Sequence, residues 1–419
     1  MGLKRLDVAQ AGQTPAAVQA LPQGRVVFAA PHRAMFLSGG VMLLVSFLLW
    51  GVELVARLGA WPSLGWRLPP AWGHALLVLG GMFPFFIFGF LLTAMPRWQG
   101  QADVGKAQWL WPWRLLAAGW GMIVVGLWAP GLMLTGSLAA LAGWTWLLVV
   151  LGRVAFAPRP DRLHAMLAWG GLAAGALAFA GWPLYLAGGN PLWVRFAIEI
   201  GVWGFLVPVF VTVCHRMIPF FSANVIQGYE MIRPRWVLLA LCGASVGHGL
   251  MALGGLPLAW LLDAAAATAA LWLSWRWRLV ASLQVALLGV LHVGFAWLGI
   301  ALALSALQGA AAVLGVHVLG LAPLHALAIG FFGSILFGMV SRVTLGHSGR
   351  ALQADLPTVI LFVGLQGVAV VRIVADLVPS ALSAWWMALA AAGWLAVFAI
   401  WAARYLPMYL RPRVDGKPG

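Results

Sequence analysis

Long apolar runs separated by short polar stretches organise this chain. A membrane-spanning helix needs about 20 apolar residues. By that measure twelve runs stand out, at roughly 35–56, 72–94, 114–133, 136–156, 164–187, 196–218, 236–255, 257–275, 284–306, 313–341, 357–379 and 382–404. None shows the alternation of a barrel strand. The expected fold is an all-α integral membrane protein, a bundle of about twelve transmembrane helices. Its divisions are an amino-terminal segment 1–34, a membrane domain 35–405 and a tail 406–419. No internal repeat is evident, and no matched Gly/Pro-broken helices mark an inverted-repeat transporter. The stretches "AQWLWPWR" and "SWRWR" read as interfacial anchors.

The polar connections orient the bundle. Of the 25 lysines and arginines, 21 fall in alternate connections, counted from the amino terminus, and 4 in the others. This is the positive-inside pattern, and it predicts that both termini are cytoplasmic. Composition agrees: 63% of residues are hydrophobic and 8% charged, against about 25% charged in soluble domains. The net charge of +15 therefore reflects topology. Nucleic acid is excluded as a partner, because no soluble basic face with interleaved aromatics exists. The lipid bilayer is the surrounding partner. Residues 1–34 contain no apolar run, so no cleavable leader is expected. Cys214 and Cys242 lie in apolar stretches and read as small buried hydrophobes.

Ionisable groups inside a membrane are costly and mark function by default. Nine histidines are present. His32, His164, His215 and His347 fall near the basic ends of helices; for His32, His164 and His215 a wet interfacial side chain is the plain alternative. His292 lies somewhat deeper from that same face. His74 and His317 fall toward the opposite ends of helices two and ten. His248 is deep on helix seven. His325 is expected about 18 Å down helix ten, near the midplane. Imidazole at depth suits haem iron or copper; a hydrogen bond to a backbone carbonyl or a Ser/Thr neighbour is the alternative for each. The intramembrane acids are Glu53, Glu199, Asp263 and Asp376. Arg195–Glu199 and Arg372–Asp376 are spaced to pair across one helical turn, with a proton path as the alternative role for Glu199. No CxxC zinc site, Walker loop, GxSxG elbow or CxxCH attachment occurs. Any haem would be non-covalent and b-type.

"LHALAIGFFGSILFGMVSRVTLGHSGR" (324–350) resembles the signature of the NnrS family, membrane proteins of nitric oxide metabolism that contain haem and copper. "FLLTAMPRWQG" (90–100) is similar to the family's FLLTAxPxWTG segment, "HRMIPFFSAN" (215–224) to RxIPFF and "LHVGFAW" (291–297) to LHxGYAW. "HRAMFLSGG" corresponds to the family's start of helix one, so the resemblance covers about residues 32–350. The family's early HAHE motif is here His74-Ala75-Leu76-Leu77, which lacks the second imidazole and the carboxylate. That departure puts the copper site in doubt.

The resemblance implies haem b, held by His74, His292 and His325, with Arg216 and Arg342 as propionate partners. His347 and His215 are further candidate metal ligands. It also implies nitric oxide as partner and a bacterial inner-membrane location. The activity it implies is nitric oxide metabolism or tolerance, with a quinol-linked nitric oxide reductase, similar in layout to haem–copper oxidase cores, as its enzymatic form. The alternatives are a non-catalytic nitric oxide or haem binder and a transporter of a metal complex or small molecule.

Overall fold

A computed structural model of the chain describes residues 26–59 and 61–416. The expected segment 1–34 therefore lies outside the described residues over 1–25, as do the last three residues of the tail. Twelve long helices follow one another: α1 (Pro31–Arg57), α2 (Pro70–Trp98), α3 (Lys106–Gly126), α4 (Pro130–Ala155), α5 (Leu163–Gly188), α6 (Leu192–Ala223), α7 (Arg235–Gly254), α8 (Ala259–Arg276), α9 (Ala286–Val313), α10 (Ala322–His347), α11 (Leu356–Val374) and α12 (Ser380–Tyr405). There is no strand among the described residues. Ten of the twelve are long and apolar enough to cross a membrane; α3 and α8 fall short of that measure. The protein is an all-α integral membrane protein.

Three helices form the centre. The cores of α2, α6 and α10 are 83%, 78% and 83% buried, whereas no other candidate span exceeds 67%. The remaining helices pack around them, and α12 closes against α1. Each central helix contains one widened π-helical stretch: Leu76–Met82 in α2, Ile200–Leu206 in α6 and Ala326–Gly333 in α10. Two of these stretches end just ahead of a proline, Pro84 and Pro208. A proline ring clashes with the carbonyl four residues before it. The widened turn accommodates that clash and inserts a residue, a device common at functional positions.

The π stretches recur every fourth helix, a pattern that the apolar runs did not reveal. Each follows an ionisable side chain by one or two residues: His74, Glu199 and His325. The first helix of each group of four also carries a histidine near its start, namely His32, His164 and His292. The architecture is therefore three groups of four helices. Hydropathy could not show this, because all twelve runs are similarly apolar.

With lipid outside, close backbone approach and hydrogen bonds join the helices, since water gives little drive between them. Gly119, Gly126 and Gly136 bring α3 against α4 so closely that any Cβ would stand under 3.0 Å from the facing backbone. At the centre, Gly330 of α10 lies under the indole of Trp297, where a Cβ would be 2.5 Å from the ring. The same indole donates to Gln366 Oε1 at 2.7 Å, and Gln366 donates to Ser334 Oγ at 2.9 Å, tying α9, α10 and α11 together.

One expected boundary is corrected. The run 313–341 does not form a single helix, because α9 continues to Val313 and α10 begins only at Ala322. The apolar connection turns through Gly315, Leu319 and Gly320, all at positive φ. His317 therefore lies exposed in a connection, and His325 in the first turn of α10 instead of near the midplane.

Candidate functional sites at the two ends of the bundle

Arg33, near the start of α1, donates to the carbonyls of Met408, Tyr409 and Arg411, so the described termini meet at one end of the bundle. This is the end rich in lysine and arginine. His32 and His347 meet there with ring centroids 4.4 Å apart, joining the start of α1 to the end of α10. Thr93 of α2 stands 3.5 Å from His32 Nδ1. A cavity of about 140 Å³ beside them is lined by His32, Thr93, Arg97, Asp103, Lys106 and His347.

A larger vestibule of about 630 Å³ shares Thr93, Arg97 and His347 and adds Arg342, Arg413 and the aromatic walls Phe90, Trp98, Phe220 and Phe221. The Arg342 guanidinium lies 4.0 Å over the Phe221 ring and has no carboxylate within ion-pair distance among the described residues. Arg216 is placed similarly, 5.0 Å over Trp98. A guanidinium held against an aromatic face keeps its edge donors free for an anion.

Two further histidines sit more deeply from this end than expected. The interfacial reading for His32, His164 and His215 is overturned, since all three are buried. The helix carrying His215 runs on to Ala223, eight residues past it. His215 Nε2 bonds the Pro234 carbonyl at 3.2 Å, and its Nδ1 lies 3.0 Å from His164 Nε2. The pairing fixes the tautomers: His215 donates from Nε2, and His164 donates to His215 Nδ1. His164 Nδ1 is left buried without a partner. His292 Nε2 is 2.9 Å from Ser222 Oγ, whose own proton goes to the Ile218 carbonyl.

The lysine- and arginine-poor end is packed differently. The His74 ring is stacked on Trp50 with centroids 4.5 Å apart, and Phe47 meets its edge at 5.6 Å. His74 Nδ1 is buried without a partner. His325 Nδ1 donates to the Leu321 carbonyl at 2.9 Å, which leaves Nε2 as a free lone pair. Both imidazoles lie in the field of the Arg372 guanidinium. Arg372 is neutralised by Asp376 at 2.7 Å, the pairing that the i,i+4 spacing predicts. The other expected pair does not form: Arg195 donates to the Ala252 carbonyl near the end of α7 in place of Glu199. Free carbonyls at a helix C-terminus attract a cation strongly enough to account for this.

Between these ends, α2, α6 and α10 enclose a small cavity of about 50 Å³. Its lining includes Phe86, Phe90, Phe210, Ile335 and Met339 and carries no polar side chain. Such a space gives water no partners and admits small apolar molecules.

The NnrS family model matches residues 26–413. The chain belongs to the NnrS family. No curated protein matches it. Family membership and the helical membrane architecture make it a membrane protein linked to nitric oxide.

The candidate ligands of this NnrS protein do not converge on one point. His74 and His325 lie at one end; Arg216, Arg342 and His347 lie at the other. His325 and Arg342 are 17 residues apart on α10, about 25 Å along its axis. Among the described residues no group of three or more His, Cys, Asp or Glu side chains is placed to hold a metal ion. Leu76 and Leu77, which replace the motif's ligands, are buried in the core. A copper site built on that motif does not fit these residues. The vestibule residues Arg97 and Arg413, and His32 in the smaller cavity beside them, were not among the expected ligands. Arg97 had a signal in "FLLTAMPRWQG", whereas the meeting of His32 with His347 across more than 300 residues had none.

Proposed function

We propose that this protein is a haem b-binding membrane protein acting in nitric oxide metabolism, with the haem carboxylates received in the vestibule at the basic end. The observation that carries this reading is Arg342, a guanidinium facing a cavity of about 630 Å³ with only an aromatic ring as neighbour. That volume falls within the roughly 300–1,000 Å³ of cofactor pockets. The residues fit the group: Phe90, Phe220, Phe221 and Trp98 offer flat apolar walls, His347 an imidazole and Arg342 a cation for a carboxylate, beside Arg97 and Arg413, which already pair with Asp103 and Asp415. Haem iron, when bound, supplies a coordination position for nitric oxide. The chain's own residues would seat the macrocycle, neutralise its carboxylates and keep water from its apolar faces. The dry cavity among α2, α6 and α10 shares Phe90 with the vestibule, which gives an apolar gas a place beside the site.

A second placement has its own support. His74 has an unpartnered buried nitrogen, and His325 has one nitrogen tied to a carbonyl and the other free. Such tethering orients metal-binding imidazoles. The absorption spectrum and haem content of the detergent-purified protein separate the placements. In the vestibule reading, His347→Ala loses or shifts the Soret band and His325→Ala retains it; the reverse result assigns the haem to the other end. A colourless preparation from haem-replete cells rejects both. Consumption of nitric oxide with a quinol donor distinguishes a reductase from a binder, and transport in haem-free vesicles would favour the transporter.

The charge distribution supports placing the vestibule end in the cytoplasm of a bacterial inner membrane. A reporter fused beside Lys106 reads as cytoplasmic on this orientation, and an external signal there overturns it.

A further inference from the structure

The four helices α6 to α9 enclose a polar group that the vestibule does not use. Asp263 on α8 is 2% exposed. His248 on α7 places Nδ1 at 2.8 and 2.9 Å from its two carboxylate oxygens. Ser305 on α9 donates to Asp263 Oδ2 at 2.7 Å. The imidazole is covered on one face by the indole of Trp203, with ring centroids 3.7 Å apart, and Ser245 Oγ donates to the Trp203 carbonyl at 2.6 Å. Asp263 lies four residues from the start of α8 and His248 six from the end of α7, which puts both about 6–9 Å inside the lysine- and arginine-poor end.

Glu199 on α6, directly before the π stretch, lies within electrostatic reach of His248 and Arg195. Its carboxylate has no hydrogen bond or ion pair among the described residues, because Arg195 is committed to the Ala252 carbonyl. Burial grades inward. Glu199 is partly exposed, whereas the side chains of His248 and Asp263 retain 13% and 3% of their exposure. The charged and titratable groups around the imidazole are thus Asp263 from α8, which bonds it, and Glu199 from α6, which has Arg195 as its own neighbour, while α9 contributes the neutral Ser305 to Asp263.

A buried carboxylate–imidazole pair is a weak source of stability, since apolar packing of the same volume serves as well. Within a membrane such groups mark proton or ion handling by default. We propose that Glu199, His248 and Asp263 form a proton-exchange site opening at the lysine- and arginine-poor end of the bundle. Glu199 takes a proton from water. Its carboxyl O–H bond then breaks as an N–H bond forms at His248 Nε2, leaving Glu199 as carboxylate and His248 as imidazolium. The Nδ1–H group stays on the Asp263 carboxylate, which balances the new charge, and no electrons move. The site stands independently of haem.

Infrared difference titration and ¹⁵N-histidine NMR of the full-length protein in nanodiscs test this. Asp263→Asn removes the counter-charge and weakens the hydrogen bond at His248 Nδ1, read as a displaced Nδ1 ¹⁵N resonance. Glu199→Gln keeps the Nδ1 hydrogen bond to Asp263 but slows deuterium exchange at the His248 ring by about tenfold or more. Should Asp263→Asn fail to fold, the Glu199→Gln exchange rate decides alone. A His248 ring that keeps one protonation state from pH 4 to 9 in wild type, or an exchange rate untouched by Glu199→Gln, marks an inert structural pair and overturns the proposal.

Discussion

The two ends of α10 carry histidines in opposite settings. At His325 and the adjoining His74 the neighbouring cations are answered: Arg372 by Asp376 at 2.7 Å, and Arg57, beside His74, by Glu53 at 3.6 Å. Trp50 and Phe47 close over His74 beside it. At His347 the guanidinium of Arg342 has an aromatic face and an open vestibule instead of a carboxylate. Around His325 the cations are balanced within the chain; at the other end Arg97 and Arg413 pair with Asp103 and Asp415, and Arg342 is left as the guanidinium for the proposed anionic group. Internal charge balance stabilises the apo fold, whereas unanswered positive charge lowers the free energy of an anionic complex.

The sharpest way to break this comparison is to remove one guanidinium from each end and follow thermal unfolding in detergent. Arg372→Gln leaves the half-buried Asp376 without its cation and should cost about 3–5 kcal/mol. Arg342→Gln strands no carboxylate and should cost under about 1 kcal/mol in the haem-free protein. Equal losses would mean that the ends do not differ as argued.

The Arg342 variant has a second consequence of intermediate size. Loss of one charge-assisted bond weakens haem retention by about 1.5–3 kcal/mol, roughly a 10- to 150-fold rise in Kd, read by haem transfer to an acceptor protein. An unchanged Kd would move the carboxylates elsewhere. Ser222→Ala strands the buried His292 Nε2, with an expected cost of about 1–3 kcal/mol. Complete retention of the melting temperature would show that His292 has another partner.

The smallest expected effect lies at the start of α11. The Asp355 carboxylate caps the helix, accepting from Thr358 N at 3.1 Å and from Thr358 Oγ1 at 2.6 Å, and it also bonds Arg404. The Thr358 hydroxyl, ahead of the backbone bond and Arg404, holds this carboxyl below the usual carboxylate range. Its stabilisation is therefore complete above the unfolded value, near pH 4, and lost as pH falls through the lower folded value. Asp355→Ala should cost about 1 kcal/mol at pH 7, and the gap to wild type should close under acid. A gap independent of pH would point to lost packing instead.

Much of the architecture was legible in the chain. Every long helix corresponds to one expected apolar run, and the i,i+4 rule found Arg372–Asp376. Helix ends were less legible. Val316, Val318 and Leu321 are apolar enough to extend a helix, yet the positive φ of Leu319 and its flanking glycines turns the chain there. Hydropathy measures the preference for lipid, which a turn near the interface satisfies as well as a helix. That one displacement of the helix start from 313 to Ala322 moved His325 by about two and a half turns.

Apolar length and the uneven spread of cations determined, from the sequence by itself, that this is a helical membrane protein, and the matching motifs determined its family. Both follow from local physics, the transfer free energy of a segment and the chemistry of a short stretch. Only the tertiary structure decided that α2, α6 and α10 lie at the centre, that His32 meets His347, and that the proposed arginines and histidines occupy opposite ends. Those outcomes depend on which of twelve similarly apolar faces pack together. That choice is made by complementary shape, as where Gly330 admits Trp297, and by hydrogen bonds between residues far apart in the chain.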